Sequence, residues 1–249
     1  MSESADIRRL LAAWPYNPDD DARIVLGDDE RQILQVRTPL GIEQYEMDGR
    51  PDGTRPHGAE SHLEFHAARL NEAKAESRGF SLSAAECAEL FNEGTLYYFR
   101  YVRLFQLRDW KRTLRDTSRN LRAFDLLRKY AEREDDQMFL EKWRPYVLRV
   151  NATAAAMLSM DSKAHDQALR VVQQAINAIE MLDDLDDDTF KFERERSLMA
   201  LRELAAKVKR DRPLTQIEKL EKQLRRAIER QEFEKAAELR DKIRAAKAA

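Results

Sequence analysis

Cysteine is almost absent from this chain, Cys87 being the only one. Its solitude excludes an intramolecular disulfide and fits a reducing compartment. It lies within AAECAEL (84–90), where nothing cues a catalytic base, and reads as a small core residue on a helix. Glycine is scarce too, at 7 of 249 residues. None of it forms the GxxxxGK-S/T or GxGxxG patterns whose backbone N–H groups cradle phosphates, nor a GxSxG nucleophile elbow. Long apolar runs are missing: nothing approaches the roughly 20 apolar residues of a membrane span. The opening MSESADIRRLLAAWPY lacks the apolar stretch of a signal peptide. Neither sign of charge dominates, the net charge being −2, so the whole molecule has no electrostatic reason to coat nucleic acid. These absences predict a cytoplasmic protein that is not an enzyme, with no catalytic residue and no cofactor.

What is abundant is charge. Charged residues make up 36% of the chain, and with so little glycine this is the mix of a mainly α protein. The length allows one ordinary domain and a small appendage. A short helix is expected over 5–13, ending before Pro15. Three segments then alternate apolar and polar residues: ARIVL (22–26), RQILQVR (31–37) and IEQYEM (42–47), separated by the turn sequences GDDE and TPLG. They predict a small N-terminal antiparallel β-meander, with Leu34, Val36, Tyr45 and Met47 toward the core. The following DGRPDGTRPHG (48–58) has two Asp-Gly steps and two prolines, and must be a loop.

From residue 59 onward the pattern is helical. HLEFHAARLNEAKAES (62–77) has no breaker, and Ser83 and Glu86 have capping-box spacing for a helix running to about residue 107. Further helices are expected over 109–133, up to Trp143 ahead of Pro145, over 146–160 and 164–182, and over 188–209. The two central helix pairs resemble degenerate tetratricopeptide (TPR) hairpins. Ala156, Ala168, Val172 and Ala175 sit where close helix packing needs small or medium side chains, while Thr113 and Asn120 stand where alanines are expected. An offset of about 55 residues departs from the 34 of a regular array, and a generic antiparallel bundle explains the same pattern.

At Asp211-Arg212-Pro213 the helical pattern breaks, since proline disfavours helical geometry for the residue before it. Beyond lies LTQIEKLEKQLRRAIERQEFEKAAELRDKIRAAKA (214–248). Ile217, Leu220, Leu224 and Ile228 fall at helical spacing, and Phe233, Ala236, Leu239 and Ile243 repeat it after a polar break. Ala237 beside Ala236 lets a partner helix approach closely. At roughly 25 cal/mol per Å² of apolar surface, two such narrow stripes are marginal alone. The hairpin therefore completes its core with another helix pair or packs on its own domain. Through Phe233, Glu234, Ala236, Ala237, Arg240 and Asp241, the segment FEKAAELRD (233–241) resembles the UVR motif of the UvrB and UvrC proteins of bacterial excision repair. Similar motifs occur in some Clp ATPases and in the activator of bacterial protein arginine kinase, whose paired CxxC zinc motifs this chain lacks.

The resemblance implies a helical hairpin, a short coiled coil, that docks another protein or a second copy of itself and catalyses nothing. Its partner-binding residues would be Leu220, Leu224, Ile228, Phe233, Ala236, Ala237, Arg240 and Ile243. One departure stands at Arg230-Gln231-Glu232, where the family usually places a short polar residue before the Phe. Glu is a poorer N-cap, so the second helix is expected to start less sharply. The expected layout is an N-terminal helix and meander (1–58), a TPR-like helical body (59–182), an acidic connector and charged helix (183–212), and the UVR hairpin (213–249). The layout resembles that of bacterial UvrB/UvrC motif-containing proteins. A second reading makes the chain an accessory factor in DNA repair with weak nucleic-acid binding, although it has neither helicase motifs nor a recognisable nuclease domain.

Three other features invite chemistry. His62 and His66, four apart, share one helix face and could share a metal. A third ligand would have to come from His57 or Glu60, and the loop carrying His57 gives no sign of holding it, so no metal site is expected. The acidic run DDLDDD (183–188) lacks the glycine and spaced glutamate of an EF-hand and reads as a solvated connector. In TLYYFRYVRLFQLRDWKR (95–112), aromatics interleave with basic residues as in single-strand binders. Tyr97, Tyr101, Leu104 and Trp110 mostly share one face, which predicts a core helix with its basic residues outward. From Lys207 to Lys247 there are 14 Lys or Arg against 8 Asp or Glu, a local excess of six positive charges. That excess suits phosphate or the acidic run upstream, and reads first as a solvated charged helix.

Overall fold

Alternation places the first strands. β1 (Ala22–Leu26), β2 (Gln32–Thr38) and β3 (Gly41–Glu46) follow a short helix α1 (Arg8–Ala13) and pair antiparallel in the order β1-β2-β3. Leu34 stands opposite Ile24 and Tyr45, and Val36 opposite Ala22 and Glu43. Side chains two apart share a face of a strand, so Leu34 and Val36 join Ala22, Tyr45 and Met47 in one buried cluster. The computed structural model describes residues 6–213 and 216–248, the side chains of 218, 247 and 248 excepted. Ala5, the expected start of the first helix, and Leu214 and Thr215 of the C-terminal segment lie outside the described residues. The chain divides into two units, Met1–Ala206 and Lys207–Ala249.

After a 3-10 turn at Pro56–Gly58, the first unit is helical: α2 (His62–Ala75), α3 (Ala84–Gln106), α4 (Trp110–Tyr130), α5 (Glu134–Met138), a 3-10 turn at Glu141–Trp143, α6 (Arg144–Asp161), α7 (His165–Glu180) and most of α8 (Asp188–Asp211), whose last five residues belong to the second unit. Ser61 caps α2 by accepting from the Glu64 N–H, and Asp109 caps α4 by accepting from that of Arg112. The capping box of Ser83 and Glu86 opens α3. A short 3-10 helix ends at Trp143, as the sequence suggested, and Pro145 sits in the first turn of α6, which follows at once. Its missing N–H is harmless there, because first-turn N–H groups have no intrahelical partner.

Four helix ends explain how the chain manages with so little glycine. After α2, α3 and α6, and in the C-terminal hairpin, one residue is left-handed: Ser77, Arg108, Lys163 and Gln231, with φ of 52°, 60°, 58° and 58°. The next N–H in each case reaches back to close a 6→1 bond, for example Asp109 to the Leu104 carbonyl at 2.9 Å and Ala164 to that of Ser159 at 2.8 Å. These are Schellman closures, which normally favour glycine.

The body packs α3 on α4, α4 on α6, and α6 on α7. Ala154, Ala156, Ala168 and Val172 are fully buried, so α6 and α7 approach over small side chains. Thr113 and Asn120, placed where alanine was expected, are buried as well and satisfy themselves on backbone. Thr113 Oγ1 donates to the Asp109 carbonyl at 2.8 Å, and Asn120 Nδ2 to that of Gly94 at 3.0 Å. Cys87 lies in a core cluster with Leu63, Leu82, Leu90, Ala123, Leu126, Leu127 and Ala131.

The aromatic-rich helix requires one correction. Tyr97, Tyr101 and Leu104 are buried as expected, but Arg100 does not point outward. It is fully buried against an equally buried Asp116, with Nε to Oδ2 at 2.7 Å and Nη2 to Oδ1 at 2.9 Å. Its remaining Nη1 donates to the carbonyls of Glu46 (2.7 Å) and Gly49 (2.9 Å). A guanidinium can be buried when a bidentate carboxylate and backbone acceptors replace its water. The loop from 46 to 49 is thereby fixed to the helical body, and Arg115 adds a bond to the Met47 carbonyl at 2.6 Å.

Candidate functional site

In the second unit, α9 (Gln216–Glu229) and α10 (Phe233–Ala248) form a helical hairpin beyond the end of α8. Its turn closes as the others do: Gln231 is left-handed, and the Glu232 N–H donates to the Ala227 carbonyl at 2.8 Å. At the departure from the family pattern, Glu232 directs its carboxylate to Lys235 Nζ at 3.0 Å, while its carbonyl accepts the Ala236 N–H at 2.9 Å. α10 therefore begins at Phe233.

The structure sorts the predicted docking residues into two groups. Ile243 is buried, and Leu220, Leu224 and Ala236 are half-buried, joined by Ala227 and Leu239, which are buried. These line the inside of the hairpin. Ala237 and Arg240 are exposed, and the large apolar side chains of Ile228 and Phe233 are 54% and 70% exposed at the turn end. Helices drawn together by a short turn leave room only for a small inward residue, so Ala227 faces in and its neighbour Ile228 faces out. Ala227 does not stand out in the sequence because alanine adds little to an apolar stripe; its spacing from Leu220 and Leu224 is the signal that marks it.

Elsewhere the charged runs are paired locally. Asp183 meets Arg128 at 2.8 Å, Asp186 meets Lys191 at 2.7 Å, and Asp184 pairs with Arg194. Asp187 accepts the Phe190 N–H at 2.9 Å near the start of α8. The acidic run is thus a connector with cationic partners in the first unit. Exposed on α3 are two aromatics, Tyr98 and Phe99. A cleft of about 490 Å³ opens beside the 48–58 loop, lined among others by Arg31, Arg50 and Arg55 and by Glu46, Asp48 and Glu60. Its lining carries both signs of charge, and Arg31 pairs with Glu46 at 2.9 Å.

His62 and His66 lie with their rings stacked, 6.5 Å between centroids and 18° between planes. His66 is buried, with Nδ1 3.0 Å from Arg69 Nη1. Burial holds both imidazoles below their ordinary pKa, against the opposing pull of Glu89 on His62 and of Glu86 on His66. His62 Nδ1 instead lies 3.3 Å from Glu89 Oε2, and His57 stands on the other side. Burial likewise pushes the Cys87 thiol up to about 11, with Asp136 adding to the effect, so it is a core group and a poor nucleophile.

Among the described residues, no helix is long and apolar enough to cross a membrane. No curated protein and no solved structure matches the chain. The family model for the UvrB/uvrC motif, UVR, matches residues 215–249, so this chain carries a UVR motif at its C-terminus, in the hairpin that the FEKAAELRD segment indicated.

Proposed function

We propose that the protein is a non-enzymatic adaptor that docks a helical partner, another protein or a second copy of itself, through the C-terminal hairpin. The observation that carries this reading is the pair of exposed apolar side chains, Ile228 and Phe233, on a unit whose buried apolar set among the described residues is small: Val208, Ala227, Leu239 and Ile243. Burying a large apolar side chain stabilises by about 1.5–3 kcal/mol, so covering these two contributes to docking on a scale that matters. Ala237 and Arg240, exposed on α10, would flank the contact with a small side chain and a charged one. The body is read as TPR-like, in line with the buried Ala156, Ala168, Val172 and Ala175 between α6 and α7. Capture from native cytoplasm with the full chain and with a chain ending at Arg212 tests the proposal. Partners specific to the full chain support it, and identical captures refute it.

The positive excess of six between Lys207 and Lys247 favours a second reading, an accessory factor in DNA repair that touches nucleic acid weakly. Electrostatic contact of this kind is sequence-independent and weakens steeply with salt. Tight, salt-resistant binding to one sequence would favour this role over the adaptor.

A further inference from the structure

We propose that His57, His62 and Glu89 bind a divalent transition-metal ion of the zinc type, joining the 48–58 loop to α2 and α3. The sequence led to the expectation of no metal site at His62 and His66; the fold brings His62 together with His57 and Glu89 instead. One ligand atom from each of His57, His62 and Glu89 lies within 4.8 Å of the others. At metal–ligand distances of about 2.0–2.2 Å, neighbouring ligands on a tetrahedral ion are about 3.4 Å apart. His62 Nδ1 and Glu89 Oε2, at 3.3 Å, already have that separation. The rest of the closure falls to the 43% exposed Glu89 side chain, which can rotate at little cost, and to a small adjustment at the exposed His57.

The site is built rather than incidental. The His62 Nδ1 atom is buried and, among the described residues, makes no well-directed hydrogen bond, Glu89 Oε2 at 3.3 Å being its close polar neighbour. A buried polar atom without a partner is costly, and a metal ion would satisfy it. The backbone of His62 is fixed, since its N–H donates to the buried Glu93 carboxylate at 2.8 Å. His57 is also held. It occupies a left-handed conformation, φ 52°, within the 3-10 turn, and its ring stacks on Phe65 at 4.2 Å between centroids and 19° between planes. A non-glycine residue in that region bears a conformational cost, and here the cost aims an imidazole at His62, 5.8 Å away in an edge-on arrangement. The nearby Arg50 does not stand as an uncompensated repelling charge, because it pairs with Asp52 at 3.0 Å and Glu93 at 3.5 Å.

Two imidazoles and a carboxylate, without thiolate, suit zinc or a neighbouring first-row ion over copper(I). Three protein ligands leave a position for water, so the site is an open, exchangeable one and not a closed structural cage.

The test is calorimetric titration of zinc into the untagged, metal-free full chain and into His57→Ala, His62→Gln, Glu89→Gln and the control His165→Ala. One ion per chain is expected for the parent and the control, with affinity reduced tenfold or more in each ligand variant. Zinc should also raise the melting temperature of the parent and leave that of Glu89→Gln unmoved. If His62→Gln fails to fold, His57→Ala and Glu89→Gln, altered at more exposed side chains, decide the matter. Absence of saturable binding by the parent, or ligand variants that bind as it does, overturns the proposal.

Discussion

Replacing Asp116 by Asn should melt the first unit well below the parent, although the side chain keeps its size. The reason is the charge left behind. Arg100 and Asp116 are both fully buried and joined by two bonds of 2.7 and 2.9 Å. An amide can accept one of those bonds, but its NH₂ group opposes the other guanidinium donor, and the Arg100 charge is left without its counter-ion in a fully buried site. Asp116 Oδ1 also accepts from Arg115 Nε at 2.9 Å, so a second arginine loses one of its partners while keeping Asp48 and the Met47 carbonyl. Breaking one side of a buried pair costs about 3–5 kcal/mol. For a unit of this size each kcal/mol moves the melting temperature by roughly 2–4 °C, which gives a fall of roughly 10 °C. Trp14, Trp110 and Trp143 all lie in the first unit, so tryptophan fluorescence during heating reports on that unit alone. The double variant Arg100→Met with Asp116→Leu should recover part of the loss, since no orphan charge remains. A single variant that melts within about 2 °C of the parent, under 1 kcal/mol on this scale, would refute the reasoning.

Other outcomes follow from the same contacts. Lys163→Gly should stabilise by about 0.5–1 kcal/mol, because relief of the left-handed strain exceeds the added entropy of the unfolded chain; a lower urea midpoint would contradict the closure described at α6. Cys87 should resist a thiol reagent at neutral pH and react fully once denatured, since burial raises its thiol to about 11; rapid labelling of the folded chain would show that the site opens. Binding to duplex or single-stranded nucleic acid should be weak and lost with modest salt, the affinity on duplex falling with a log–log slope of about −0.9 per phosphate contact; titration at two salt concentrations checks this.

The elements that could be read along the sequence were those set by local rules. The meander followed from alternation around Leu34 and Val36, the start of α3 from the Ser83–Glu86 box, and the hairpin from its two stripes and FEKAAELRD. What escaped was set by contacts between distant segments. Arg100 was expected outside because an arginine on a helix ordinarily finds water, and nothing near it in sequence announces Asp116 as its partner or Glu46 and Gly49 as its acceptors. Glu89 was not connected with His62, since α2 and α3 meet only in the fold. His57 appeared unheld because its anchor is a turn conformation and a stacked Phe65, neither of which leaves a motif. In the hairpin, the division of the stripe into inner Ala227 and outer Ile228 depends on the closeness of the two helices at the turn.

The adaptor account rests on the outer face of the hairpin, and Phe233→Asp tests it most directly. The side chain is 70% exposed, so the substitution places a charge on the proposed contact without disturbing a packed core. Sedimentation equilibrium and partner capture should be run on the parent, the variant and the chain ending at Arg212, with tryptophan fluorescence confirming that the first unit stays folded. The account predicts that Phe233→Asp and the truncated chain both lose association while the first unit melts as in the parent. If Phe233→Asp self-associates and captures partners as the parent does, the hairpin does not dock through this face and the central claim fails.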